Sequence, residues 1–192
     1  MAEIRCATCL LRPVLVADAA SIARHANDRD IWINLRDRFP HPYELGHAEA
    51  FAARLATDEV QTTFAIVVDG QASGTISLMP GTDVERVSAE IGYWLGKAFW
   101  GRGVMTDAVR ALTTYAFDTL KFNRIFALPF ADNVASLRVL EKAGYVREGA
   151  MRRSAIKDGR LRNQYMYGTY DDTWPTRMAS AVDSPIPPLP IG

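Results

Sequence analysis

A chain of 192 residues, 48% hydrophobic and 23% charged, has the mass for one sizeable core and the composition of an ordinary folded domain. Its 22 basic and 22 acidic residues cancel, so no global field argues for a nucleic acid or an anionic membrane as partner. No apolar run approaches the ~20 residues of a membrane span, and Met1-Ala2-Glu3-Ile4-Arg5 lacks the apolar core of a signal peptide, so a cytoplasmic setting is expected.

Residues 1–9 read as a loose N-terminal arm that carries the only cysteines, Cys6 and Cys9, as Cys-x-x-Cys. A zinc site would need two more nitrogen or sulfur ligands, and a redox pair of the thioredoxin kind would sit at a strand-to-helix turn. Neither context is present, so two reduced thiols and no metal are expected. Leu10 to Val14 reads as a short strand, with Pro13 confining it to an edge or a strand start. Asp18 is placed as the cap of a helix carrying Ile22, Ala23 and Ala26. A second helical piece is expected from Ile31 to Arg38. It ends at Phe39-Pro40-His41-Pro42-Tyr43, where two prolines impose a defined non-helical loop. Ala48, Phe51, Ala52 and Leu55 at helical spacing make residues 44–57 a third helix.

From Thr63 the apolar period falls to two. Thr63 to Val68 and Ala72 to Leu78, joined at Asp69-Gly70, read as a hairpin, and Val87 to Leu95 as the next strand. In that strand Ile91, Tyr93 and Leu95 share one face, with Glu90, Gly92 and Trp94 on the other. Ala108, Leu112, Tyr115 and Ala116 then repeat at helical spacing as a buried stripe. Phe122 to Leu128 is a strand ended by Pro129. Asn133 caps a further helix that Gly144 closes. Tyr145 to Ile156 and Leu161 to Tyr170 pair around Lys157-Asp158-Gly159-Arg160. The pattern is mixed α/β with largely hairpin-joined strands and two crossover helices. From residue 173 the chain turns proline-rich (Ser184-Pro185-Ile186-Pro187-Pro188-Leu189-Pro190), a composition expected to give an extended tail rather than a packed core.

The stretch from Gly96 to Thr106 sits between the central strand and its helix. Gly96, Gly101 and Gly103 are expected to turn with positive φ and let the backbone approach a ligand, and the helix start beyond them offers unpaired N–H groups and a positive dipole end to an anion. A P-loop would need Gly-Lys-Ser/Thr where this chain has Gly103-Val104-Met105-Thr106, and no third glycine completes a dinucleotide fingerprint. Strand, Trp100-Gly101-Arg102-Gly103-Val104-Met105-Thr106, helix, then Asn133-Val134-Ala135-Ser136 and Lys142-Ala143-Gly144-Tyr145 resembles the GNAT N-acetyltransferases, in the Rim-type branch that acetylates ribosomal-protein N-termini. The resemblance spans roughly residues 10 to 170. It implies a GNAT domain over 10–172 with a mostly antiparallel twisted sheet, a splayed pair of strands and helices on both faces. It further implies transfer of acetyl from acetyl-coenzyme A to a primary amine by direct attack. The acceptor is left open among a peptide N-terminus, a polyamine and an aminoglycoside, and a homodimer is compatible. The alternative is an acyl-coenzyme A sensor or structural subunit without turnover.

By this resemblance Gly101, Arg102, Gly103, Val104, Met105 and Thr106 cradle the pyrophosphate. Met105 departs from the family's loop pattern and sets its bulk beside the phosphates. Trp94 and Leu95 match the splayed strand that pairs with pantetheine, Asn133 would contact the pantetheine, and Ser136 the sulfur. Glu90 is the candidate general base, against the plainer reading of a partner for an arginine. Ser136 is the candidate acid for the departing thiolate, although Asn133 and Ser136 also suit a helix cap. Leu140 stands where many relatives carry a tyrosine acid, leaving Tyr145 as the other hydroxyl. His25, His41 and His47 belong to no triad or metal spacing, His41 being the most suggestive because of its proline-bounded loop. Residues 34–43 and the hairpin from Arg152-Arg153 to Arg162-Asn163 are expected to wall the acceptor cleft.

Overall fold

The computed structural model describes residues 2–57 and 60–174. Eight strands form one sheet in the order β1-β2-β3-β4-β5-β6-β8-β7: β1 (Ile4–Arg5), β2 (Leu10–Arg12), β3 (Thr63–Val68), β4 (Gln71–Pro80), β5 (Ser88–Leu95), β6 (Arg124–Ala127), β7 (Val146–Lys157) and β8 (Arg160–Tyr170). Every neighbouring pair is antiparallel except β5–β6. The two tight hairpins are turned by Asp69-Gly70 and Asp158-Gly159. All four residues have positive φ, the conformation that matches the twist of the flanking strands.

Two apolar layers cover the sheet. Helices α1 (Ala19–Ala26), α2 (Arg29–Trp32) and α3 (Leu45–Leu55) bury Ile22, Ala26, Ile31, Ala48 and Ala52 with Ala65, Ala72 and Trp94 on one face. Helices α4 (Val104–Asp118) and α5 (Val134–Ala143) pack on the other with Phe64, Ile76, Ile91 and Ile125. The alternation in β5 therefore does what its period dictates: Ile91 and Leu95 join one layer and Trp94 the other. Leu112, at the centre of α4, is completely buried, and burying a side chain of that size is worth about 1.5–3 kcal/mol.

The β5–β6 pairing sets up the site. It runs only over Ser88, Ala89 and Glu90 against Arg124, Ile125 and Phe126. Beyond it the chain after β6 follows β8 instead: Tyr165 N–H donates to Pro129 O, and Phe130 bridges to Gln164. Among the described residues no strand pairs with the far end of β5 on that side, and the two strands splay apart.

Several expectations are corrected by packing. The N-terminal segment is not a loose arm: residues 4–12 form the β1–β2 hairpin, closed by Cys6 N–H on Cys9 O at 2.9 Å, and both free thiols lie half-buried against the core. Trp174, assigned by composition to the tail, is 3% exposed and packs edge-on to Phe117 and Tyr145. The proline-rich stretch lies outside the described residues. Asp18 does not cap α1 with its side chain. It accepts the Leu15 N–H at 2.8 Å and holds Arg12 through two bonds of 2.7 Å. The second helical piece stops at Trp32 because Arg162, from β8, takes the Ile33 carbonyl at 2.6 Å, and residues 33–39 continue as turns.

Candidate active site

Gly101 and Gly103 adopt φ of 74° and 80° with open space where a Cβ would stand, so the loop exposes its backbone just before α4 begins at Val104. Gly96 differs from expectation: its φ is −54°, and it is small because a Cβ would come within 3.0 Å of the His25 ring. The loop is pinned from both ends. Trp100 donates its indole N–H to Leu95 O at 2.7 Å, and Arg102 lies over the Phe99 ring and reaches Asp69 at 3.3 Å. Val104 and Met105 turn their side chains into the core, at 2% and 8% exposure. The bulk of Met105 therefore packs inward, and its amide is left with those of Gly103, Val104 and Thr106 at the positive end of a 15-residue helix.

A cleft of about 1360 Å³ joins this loop to the splay and to the face of α1–α3. Gly96 donates its N–H to Ser73 O on β4, so by antiparallel alternation the backbone groups of Trp94 and Gly92 also point to β4. Those of Ile91, Tyr93 and Leu95 point to the open side. Tyr93 and Leu95, rather than Trp94, thus offer backbone to an extended ligand, with the Leu95 carbonyl already taken by Trp100. Trp94 contributes its ring to the layer beneath, edge-on to Phe39.

Glu90 lines the cleft with its side chain 19% exposed, and Arg36 donates to its Oε1 at 2.5 Å. Sequence offered base and arginine partner as alternatives; the structure places Arg36 on the carboxylate, and Glu90 still lines the cleft. Ser136 Oγ meets the Tyr93 hydroxyl at 2.9 Å, while Asn133 Oδ1 caps α5 by accepting Ser136 N–H at 3.3 Å. Burial pushes the Tyr93 phenol well above its ordinary range, so it stays protonated as a donor. Tyr145 is withdrawn from consideration. Its hydroxyl bonds Thr113 Oγ1 at 2.7 Å within the core, behind α4.

The histidines separate in an unexpected order. His41 stacks on Trp32 outside the cleft, His25 faces Gln71 at 3.3 Å, and His47 lines the cleft with Nδ1 accepting the Glu44 N–H that caps α3. Of residues 34–43, Asn34, Leu35, Arg36, Arg38, Phe39, Pro40 and Tyr43 line the cleft. The β7–β8 arginines do not, apart from their neighbour Gln164. Arg162 instead clamps the wall from behind, on Ile33 O, Asn34 and Asp132, and Lys157 does the same on Asp37 at 2.9 Å. The Tyr93 contact escaped the sequence reading, and Arg36 was expected only as one residue of the cleft wall, not as the partner of Glu90. A tyrosine within an alternating strand looks like core, and an arginine among several in a loop carries no periodic signal.

Comparison with known proteins agrees with this architecture. Residues 9–146 match the acetyltransferase (GNAT) domain. The chain is 35% identical over 160 residues to "Probable N-acetyltransferase YjcK" of Bacillus subtilis, covering 79% of this chain and 88% of that one. It is 37% identical over 109 residues to "Putative ribosomal N-acetyltransferase YdaF" of the same organism, covering 57% and 59% respectively. Among solved structures, Mycobacterium smegmatis RimJ in complex with CoA-disulfide superposes with a TM-score of 0.79 at 24% identity, over 94% of this chain and 93% of that one, a likeness of fold. A glycine loop ahead of a helix, a parallel strand pair that splays over it, and a match through most of the chain meet in one conclusion: this protein belongs to the GNAT acetyltransferase family and is an acetyl-coenzyme A-dependent acyltransferase.

Proposed function

We propose that the chain transfers acetyl from acetyl-coenzyme A to the primary amine of a peptide N-terminus, by direct attack within the cleft that passes through the β5–β6 splay. The observation that carries this reading is that one cleft has the glycine loop, Glu90 and the Tyr93–Ser136 hydroxyl pair on its walls. The pyrophosphate sits on the amides of residues 101–106, with Arg102 adding charge at the rim. Pantetheine lies along the open edge of β5 as an added strand, with Asn133 beside it at the start of α5. The thioester carbonyl then falls near the N–H of Ile91 or Tyr93, a preorganised donor for the tetrahedral oxyanion. Glu90 takes the proton of the acceptor ammonium, directly or through a water, while Arg36 keeps its carboxylate in place. The sulfur leaves towards Ser136, which protonates it as the Tyr93 hydroxyl passes its own proton to Ser136 Oγ and regains one from water in the cleft.

A relative named for ribosomal acetylation, the putative ribosomal N-acetyltransferase YdaF, supports a peptide acceptor. The test is thiol release from acetyl-coenzyme A by purified protein across N-terminal peptides, polyamines and aminoglycosides, with Gly103→Trp as the blocked-cradle control. Release with peptides that the control abolishes is the expected result. Release confined to polyamines or aminoglycosides would replace the peptide assignment, and silence throughout would favour binding of acyl-coenzyme A without turnover.

A further inference from the structure

We propose that Arg38 is a specificity-determining residue that selects an acceptor carrying a carboxylate close to its amine; the inference rests on the acetyltransferase reading of the same cleft. Glu90 and Met79 are direct cross-strand partners of the β4–β5 ladder. Directly opposed residues carry their side chains on one face, with Cβ atoms about 4.5–5.5 Å apart. Each of the two holds one guanidinium from the loop above: Arg36 on Glu90 Oε1 at 2.5 Å, Arg38 on Met79 Sδ at 3.0 Å. Two arginines thus line the cleft on neighbouring side chains of one sheet face, and only one of them holds a carboxylate.

The sulfur is a weak acceptor, and it meets one of five donors on a group that has no acceptor of its own. Among the described residues Arg38 has no carboxylate partner. The nearby acidic groups are engaged elsewhere: Asp37 by Lys157, and Asp30 by Lys97. Asp30 and Glu90 are the only acidic side chains among the described residues lining the cleft, whereas Arg36 and Arg38 line its acceptor side, and Glu90 is already held by Arg36. In a chain with zero net charge this is a local excess of positive charge at the mouth. It repels a polyamine and presents a planar donor fork to a carboxylate one residue's length from Glu90. Two sources offer that chemistry: a peptide with Asp or Glu directly after its N-terminal residue, and a small amino acid with its own carboxylate.

The test is equilibrium binding to the coenzyme A-loaded protein, which needs no turnover, paired with thiol release from acetyl-coenzyme A. The probes are the C-terminally amidated peptides Ser-Glu-Glu-Ala and Ser-Gln-Gln-Ala, free serine, and spermidine. The acidic peptide is expected to bind about tenfold more tightly than its neutral twin, with the difference lost in Arg38→Ala and reversed towards a lysine-containing peptide in Arg38→Glu. In turnover the loss should appear in KM with kcat retained. Tight binding of free serine alone would assign the small-acid source. Equal binding of acidic and neutral peptides, or preference for spermidine, overturns the inference while leaving acetyl transfer intact. Selective binding without any thiol release would instead overturn the catalytic reading and leave the specificity standing.

Discussion

Tyr93 and Ser136 meet hydroxyl to hydroxyl at 2.9 Å, one from the splayed strand and one from the first turn of α5. The bond ties the two walls between which the thioester would lie. Burial raises the Tyr93 phenol above its ordinary range, so it remains protonated and can donate to Ser136 Oγ.

Ser136→Ala is therefore expected to lower kcat about a hundredfold, the range of a lost general acid. Tyr93→Phe should lower it less, about tenfold, since the serine hydroxyl remains to donate. Pre-steady-state thiol release measured for both variants and the double variant checks the relay. If the two losses simply multiply, the residues act independently and the relay is wrong.

Glu90→Gln keeps the shape of the carboxylate but can neither accept the acceptor's proton nor pair with Arg36 as an ion. The expected outcome is a fall in kcat/KM of about a hundredfold or more. Arg36→Ala should be milder, since it frees the carboxylate without removing it. A Glu90→Gln enzyme with the wild-type rate would move the proton acceptor elsewhere, His47 being another candidate on the cleft wall.

Trp100 holds the glycine loop to the end of β5 through one indole hydrogen bond to Leu95 O. Trp100→Phe keeps the ring and removes the donor, at a cost of about 1 kcal/mol in loop order. Coenzyme A affinity, read by calorimetry, should weaken several-fold with global stability nearly unchanged. A matching drop in Tm would mean that the bond serves the fold rather than the loop.

These predictions draw on features of unequal visibility in the sequence. The two-residue period of β5 placed Ile91 and Leu95 opposite Trp94, and Asp-Gly pairs marked both tight hairpins, because pleat and turn chemistry are local. The glycine loop and Glu90 were legible for the same reason. Partnerships across the chain were not. Arg162 ends a helix that periodicity would have continued to Arg38, and Trp174 fills a gap between Phe117 and Tyr145 although its neighbours in sequence read as tail. Met105 looked like an obstruction because composition cannot say which way a side chain turns; it turns into the core.

Asp18 illustrates the same limit and supplies a stability test. It lies 7% exposed where β2 hands over to α1, and α1 belongs to the layer that supports the acceptor wall. Burial raises its carboxyl, but the Arg12 guanidinium and the Leu15 N–H more than offset that, and the net direction is below the ordinary range. A carboxylate whose folded pKa is depressed adds stability above its unfolded value, about 3.9, and loses it as pH falls through the folded one. Asp18→Asn should therefore cost about 3 kcal/mol at pH 7 by stranding Arg12. The gap from wild type should begin to close below about pH 4 as the native carboxylate takes up its proton. Urea unfolding of both proteins between pH 7 and pH 3 measures this directly. A gap that stays constant over that interval would mean that the Arg12–Asp18 pair contributes through shape alone, and that its charges are compensated by other groups.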